Sequence, residues 1–227
     1  MGIIEFKSVW KVYRTPGGAE YTALQDVTLE IDEGELVAVL GPSGSGKTTM
    51  IYLSGGIELP SRGRVVVNGA NLSDMGESGR AKWRRRNVGI IFQFYHLVPS
   101  LTVIENVMLP MELAGLWNKN ERVERAERLL DLVGMLGKRD KYPSQLSGGE
   151  QQRVAIARAL AADPPIILAD EPTANLDTKN KTRVIELLVE ANRLGKTVVY
   201  ATHDPTLASK ASRIIRIRDG RIDEVQS

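Results

Sequence analysis

Apolar and polar positions along the chain fall into distinct regimes. From Ile3 to Tyr13 and from Leu24 to Ile31 the sequence predicts strands, with the period-two alternation of a half-buried strand in Val27-Thr28-Leu29-Glu30-Ile31. Leu36-Val37-Ala38-Val39-Leu40, Val88 to Phe92 and Ile166-Ile167-Leu168-Ala169 are continuous apolar runs, the pattern of strands buried on both faces, and Thr197 to Ala201 makes a further strand. Helical spacing predicts helices over Lys47–Ser54, Ser78–Arg86, Leu101–Met111, Arg122–Leu136, Glu150–Ala162 and Asp177–Leu194. In the fourth of these Val123, Ala126, Leu130 and Val133 share one face. Thr15-Pro16-Gly17-Gly18, Asp32-Glu33-Gly34 and Ser61-Arg62-Gly63 are turn clusters, the last opening a short strand to Val67. Asn68-Gly69 and Asp219-Gly220 carry the signature of two-residue hairpins.

Read in order, strands alternate with helices except between about residues 94 and 160, where no strand pattern occurs. The expectation is an α/β protein with a mostly parallel sheet covered on both faces, an N-terminal antiparallel β part and an inserted helical lobe. Residues 1–93 and 161–227 would form the sheet-bearing core and residues 94–160, approximately, the lobe.

The apolar strand Leu36–Leu40 runs into Gly41-Pro42-Ser43-Gly44-Ser45-Gly46-Lys47-Thr48-Thr49, which fits G-x-x-x-x-G-K-[ST] with a helix following. Glycines allow backbone N–H groups to wrap an anion, and the helix start adds its own unpaired N–H groups and positive dipole end. Lys47 is placed to reach the β- and γ-phosphates of a nucleotide, and the Thr48 hydroxyl to ligate Mg²⁺.

Composition narrows the setting. Thirty Lys and Arg against 28 Asp and Glu leave +2, so no global field draws in nucleic acid. The absence of cysteine excludes disulfides and thiolate metal sites and suits the cytosol. No apolar run approaches the ~18–20 residues needed to cross a bilayer, and the N-terminus Met1-Gly2-Ile3-Ile4-Glu5 has no signal-peptide pattern. Any membrane role therefore passes through a partner. The basic run Lys82-Trp83-Arg84-Arg85-Arg86 is short and isolated, which favours a solvated helix face over a nucleic-acid patch.

Two further constellations carry chemistry. Asp170-Glu171 ends an apolar strand at the edge where ligands bind in α/β sheets; Asp170 can hold Mg²⁺ and Glu171 can orient or deprotonate a water. Leu146-Ser147-Gly148-Gly149-Glu150-Gln151-Gln152 opens a helix with free N–H groups and a hydroxyl, either as an ordinary serine cap or as a second anion cradle. One ATP does not need two cradles, so the second reading points to a nucleotide held by another copy of the chain.

With these motifs in order, the chain resembles the ATP-binding subunits of ABC transporters from Ile4 to about Val225. The resemblance implies a P-loop NTPase (RecA-like) core, ATP and Mg²⁺ as cofactors, and hydrolysis in a head-to-tail homodimer. It puts Tyr13 against adenine and makes Gly41, Ser43, Gly44, Ser45, Gly46, Lys47, Thr48 and Thr49 the phosphate loop. It implies that Gln93 senses Mg²⁺ and the attacking water, and that Ser147, Gly148 and Gly149 cover the partner's nucleotide. Asp170 and Glu171 become the magnesium and base pair, Asn175-Leu176-Asp177 a dimer-contacting loop, and His203 the histidine that holds the γ-phosphate.

The stretch Phe92 to Val107 is most similar to the lipoprotein-releasing (LolD-like) and macrolide-export (MacB-like) group, with His96 where asparagine is frequent in relatives. This implies a cytoplasmic protein held on the inner face of the membrane by an integral permease, driving export or lipoprotein or peptide extrusion. Phe94, Tyr95, Leu97, Val98 and Leu101 then read equally as a docking surface or as a buried loop. The alternatives are a non-transport ABC ATPase in septum-associated signalling or nucleic-acid maintenance, and a small-molecule kinase, which has no use for Leu146–Gln152.

Overall fold

The structure, a computed structural model, describes residues 2–15 and 17–226. Met1, and Pro16 of the Thr15–Gly18 turn, lie outside the described residues. Strands β1 (Ile4–Arg14), β2 (Glu20–Ile31) and β3 (Leu36–Leu40) lead into helix α1 (Lys47–Ser54). Then come β4 (Arg62–Val67), β5 (Ala70–Asn71), α2 (Glu77–Asn87), β6 (Val88–Ile91), α3 (Val103–Leu113), α4 (Lys119–Leu132) and α5 (Gly148–Leu160). The chain closes with β7 (Ile166–Asp170), α6 (Thr178–Arg193), β8 (Thr197–Thr202), α7 (Pro205–Ala208), β9 (Arg213–Arg218) and β10 (Arg221–Gln226).

The central sheet has the order β10-β9-β3-β8-β7-β6, parallel throughout except for β10. Its strands are sorted by the two-residue period. Leu36, Ala38 and Leu40 of β3, Ile167 and Ala169 of β7, and Val198 and Tyr200 of β8 face the core shared with α3 to α6. Val37 and Val39, Ile166 and Leu168, Val199 and Ala201 face a second core, closed by α1 and an antiparallel sheet of order β2-β1-β4-β5. Both faces are covered, which is why these strands read as unbroken apolar runs. In β2, by contrast, Val27, Leu29 and Ile31 are buried while Asp26, Thr28 and Glu30 are exposed.

Both hairpin signals form their turns, with left-handed pairs at Asn68 and Gly69 and at Asp219 and Gly220. The expected helix over Arg122–Leu136 is displaced. Asn118 accepts from the N–H groups of Asn120 and Glu121, starting the helix at Lys119. At the other end Gly134 takes φ 69°, its N–H reaches the Asp131 carbonyl and that of Met135 the Leu130 carbonyl, so the helix stops at Leu132 and Leu136 falls in a separate 3₁₀ turn. The helix expected over Glu150–Ala162 begins two residues earlier because Ser147 is its cap.

Candidate functional site

The register of the parallel strands gathers the chemistry at one edge. Leu40 pairs with Thr202, Ala201 with Asp170, and Ala169 with Ile91. The segments that leave these strands, Gly41–Gly46, His203, Glu171 and Gln93, therefore emerge side by side at the C-terminal ends, where α/β sheets bind ligands.

Gly41 to Gly46 forms a loop between β3 and α1. Gly46 sits at φ 107°, and a Cβ there would lie 2.5 Å from the Ala23 carbonyl, so only glycine fits. Lys47 is buried, and its Nζ donates to the carbonyls of Gly41 at 2.9 Å and Pro42 at 3.0 Å, folding the amine over the loop. Among the described residues the buried Ser45 hydroxyl has no hydrogen-bond partner. Ser43 and Gly44 are exposed. Two supports from outside the motif hold the loop: the Tyr21 hydroxyl donates to the Gly44 carbonyl at 2.7 Å, and the Gly220 N–H to that of Ser45 at 3.0 Å.

Asp170 is buried at the end of β7, and its Oδ1 accepts from the Thr48 hydroxyl at 2.9 Å. Burial pushes its carboxyl above the ordinary range and the neighbouring Glu171 charge adds to this, while the Thr48 bond and Lys47 pull the other way. Glu171 follows in the left-handed region, φ 43°, a sparsely populated conformation for a non-glycine residue. That twist aims Oε1 at Lys47 Nζ, 3.3 Å away, and Oε2 at Nδ1 of His203, 3.0 Å away. The hydroxyl, the acids, the amine and the imidazole thus form one continuous cluster.

Gln93 stands half-buried just past β6. Two successive left-handed residues, Tyr95 and His96, turn the chain after it. Arg158 of α5 donates to both their carbonyls, and burial brings its guanidinium down to about 10. Of the apolar segment that follows Gln93, Phe94 is 65% exposed while Leu97 lies in the core, so the two readings of that segment divide between residues. A groove of about 680 Å³ opens beside it, lined by Arg85, Phe92, His96, Leu109, Leu113 and Arg158 among others.

Ser147, Gly148 and Gly149 start α5, with Glu150 accepting the Ser147 N–H at 3.0 Å. Gly148 packs under the Tyr95 hydroxyl, which a Cβ would approach to 2.7 Å, and Gly149 against Asn180 of α6, at 2.5 Å. Among the described residues, the neighbours of this helix tip include Tyr95, Leu176, Asn180 and Glu150, and no side-chain hydrogen bond joins it to residues 41–49. The Tyr13 hydroxyl lies 2.6 Å from Glu58 Oε2 and 3.4 Å from the Thr49 hydroxyl in the first turn of α1. Sequence reasoning did not find Tyr21, Glu58, Arg158 or Gly220, whose roles arise from contacts between distant segments; only Gly220 had a local signal, as a hairpin turn.

A glycine-lined anion cradle with its lysine, and an acid pair on the parallel strand one beyond its neighbour, define a nucleoside triphosphatase of the P-loop class. The chain belongs to the ABC transporter family of ATP-hydrolysing cassettes: the ABC transporter family model matches residues 24–174. An uncharacterized ABC transporter ATP-binding protein of Thermotoga maritima is 47% identical over 99% of this chain and 95% of its own length. The macrolide export ATP-binding/permease protein MacB of Sodalis glossinidius is 46% identical over 97% of this chain, which spans 33% of that larger protein. Among solved structures, a dimeric post-hydrolysis state of the ATP-binding cassette MJ0796 bound to ADP and Pi superposes with a TM-score of 0.92 at 41% identity, covering 99% of this chain and 98% of that one.

Proposed function

We propose that this chain is the ATPase subunit of a membrane complex, closing head-to-tail with a second copy around two ATP molecules and driving a separate integral permease in export or in lipoprotein or peptide extrusion. The observation that carries this reading is the tip of α5. The start of α5 offers the Ser147 hydroxyl, the first helical N–H groups at Gly148 and Gly149 and a positive dipole end, yet among the described residues no side-chain hydrogen bond joins it to the phosphate loop of its own chain. A second copy brings such a tip to the γ-phosphate, and the dimeric MJ0796 cassette supports that arrangement.

In this reading the phosphates lie in Gly41–Thr49, with Lys47 leaving its loop carbonyls for the β- and γ-phosphates. The donor set at Thr48 and Asp170 fits Mg²⁺: a hydroxyl and a carboxylate oxygen 2.9 Å apart, with the Gln93 amide nearby in the sheet order. Among the described residues no cluster of three or more His, Cys, Asp or Glu could hold a metal alone, as suits an ion that takes most of its ligands from substrate and water. When bound, Mg²⁺ would neutralise charge between the β- and γ-phosphates. Glu171 accepts a proton from, or orients, the attacking water; His203 fixes that carboxylate from one side and the γ-phosphate from the other. Positioning and electrostatics do the catalytic work, because phosphoryl transfer needs little covalent help.

No described helix is long and apolar enough to cross a membrane. MacB joins ATP-binding and permease functions in one name, which supports a permease partner for this chain at the inner face of the membrane. The groove beside Gln93 is where such a partner would dock, since it meets both the sheet-bearing core and the helical lobe. The test is Ser147→Arg. Binding of ATP to the monomer should persist, while hydrolysis and ATP-dependent dimerisation should fall at least tenfold; loss of monomer binding would overturn the shared site. Pairing the variant with a Lys47→Ala chain should restore one working site.

A further inference from the structure

Glu58 plays no part in the phosphate chemistry, yet it is built into the nucleotide side of the molecule. It follows α1 through the Gly55-Gly56 turn, and its N–H and that of Ile57 both donate to the Tyr52 carbonyl, at 3.3 and 3.0 Å. The carboxylate is therefore fixed to the same helix that begins at Lys47. Its Oε2 accepts from the Tyr13 hydroxyl at 2.6 Å and lies 3.0 Å from Lys11 Nζ. Lys11 also donates to the Leu59 carbonyl at 3.0 Å and lies over the Tyr13 ring, 4.9 Å from its centre. The Tyr13 hydroxyl has Thr49, two residues past Lys47, as a further neighbour at 3.4 Å.

We propose that Glu58, with Lys11, is a positioning residue that holds the Tyr13 ring as a fixed stacking platform for the base of the nucleotide. The inference rests on the reading that Tyr13 meets adenine. An aromatic ring at the end of an exposed hairpin rotates freely unless its far end is tied, and each binding event would then have to order it. The carboxylate ties it to α1, so base platform and phosphate cradle keep one fixed separation. Lys11 lies over one face of the ring, so a planar base would stack on the opposite face. The ammonium also neutralises a carboxylate that would otherwise repel the nucleotide's phosphates. Burial, and then the bond to Glu58, push the Tyr13 phenol up to about 12, so it remains a neutral donor to the carboxylate across the physiological range.

The intact protein should be titrated with ATP and with inorganic tripolyphosphate, which carries phosphates and no base. For Glu58→Ala, affinity for ATP should fall about five- to tenfold while that for tripolyphosphate holds within about twofold, from loss of preorganisation alone. KM for ATP should rise with kcat within about twofold of the parent. Glu58→Gln keeps an acceptor for the phenol and should restore most of the ATP preference. Equal weakening of both ligands, with a lowered melting temperature, would make Glu58 a structural residue and overturn the inference. Tyr13→Ala separates the two levels. If it keeps the preference for ATP, the platform itself is wrong; if it loses the preference while Glu58→Ala does not, the platform stands and the role of Glu58 fails.

Discussion

The carboxylate of Glu171 meets the imidazole of His203 at 3.0 Å across the neighbouring ends of β7 and β8. The other oxygen of the same carboxylate lies 3.3 Å from the Lys47 ammonium. One acid is thus oriented from two sides, by the ring of one strand end and by the cation of the phosphate cradle. Glu171→Gln keeps the shape and removes the proposed base. ATP binding should survive, turnover should fall about 10²- to 10⁴-fold, and an ATP-stabilised dimer should accumulate in size-exclusion chromatography. A variant that stays monomeric with ATP present would contradict the shared site.

The contact between Tyr95 and Gly148 gives a test that needs no nucleotide. A methyl group on Gly148 would come within 2.7 Å of the Tyr95 hydroxyl, whereas the ring carbon behind that hydroxyl is 3.6 Å away, an ordinary contact. Gly148→Ala should therefore cost about 1–3 kcal/mol through overpacking. Adding Tyr95→Phe should recover most of the loss. Urea melts of both single variants and the double variant measure the coupling; additive losses would show that the clash is relieved elsewhere.

Arg84 of the basic run has a structural task, beside Arg85, whose guanidinium donates to the Leu113 carbonyl at 3.1 Å. The Arg84 guanidinium donates to the carbonyls of Gly56 at 2.9 Å and Gly55 at 3.4 Å, closing the end of α1, and burial lowers its pKa. Arg84→Ala leaves those carbonyls without their partner and should destabilise by about 1–3 kcal/mol. Lys82→Ala, on the same helix, should change the melting temperature little. Equal effects would return the whole run to a solvated surface.

Asp163 joins α4 to β8 by accepting from Lys196 at 2.8 Å and pairing with Arg125 at 3.1 Å. The Lys196 hydrogen bond, ahead of the charges of Lys196 and Arg125, holds its carboxyl below the ordinary range. A depressed carboxyl stabilises the fold above its unfolded pKa of about 3.9 and loses that contribution as pH falls through the lower folded value. Asp163→Asn should thus cost about 0.5–1 kcal/mol at pH 7, the scale of partly exposed pairs. The difference from the parent should shrink steadily as pH falls below about 3.9, read from chemical melts across pH.

Local chemistry made much of the architecture legible. The parallel strands announced themselves because burial on both faces demands unbroken apolar runs, and both hairpins because Asn-Gly and Asp-Gly tolerate left-handed backbone. Helix α4 was misplaced at both ends because capping by Asn118 and Gly134 outweighs the apolar period. Helix α7, four residues over Pro205–Ala208, is too short for any period to show. The phosphate loop and acid pair were readable since each is contiguous in sequence. The Glu171–His203 contact, the Arg158 clamp on Tyr95 and His96, and the Glu58–Tyr13 tie were not, because each joins residues more than thirty positions apart. Left-handed backbone at His96 also gives a physical reason for the asparagine expected there, a residue that accepts this conformation readily.

The hairpin of β9 and β10 has a temporal consequence. Through Gly220 it grips the Ser45 carbonyl and receives the Gln25 N–H, at 3.0 and 2.8 Å, fastening the anion loop from a segment far downstream in the sequence. A ribosome delivers that fastener after every motif residue has already left the tunnel. Nucleotide competence should accordingly arrive late and abruptly during synthesis: nascent chains in which only residues before Asp219 have emerged from the ribosome should pass through an ATP resin, and chains in which Gln226 has emerged should be retained.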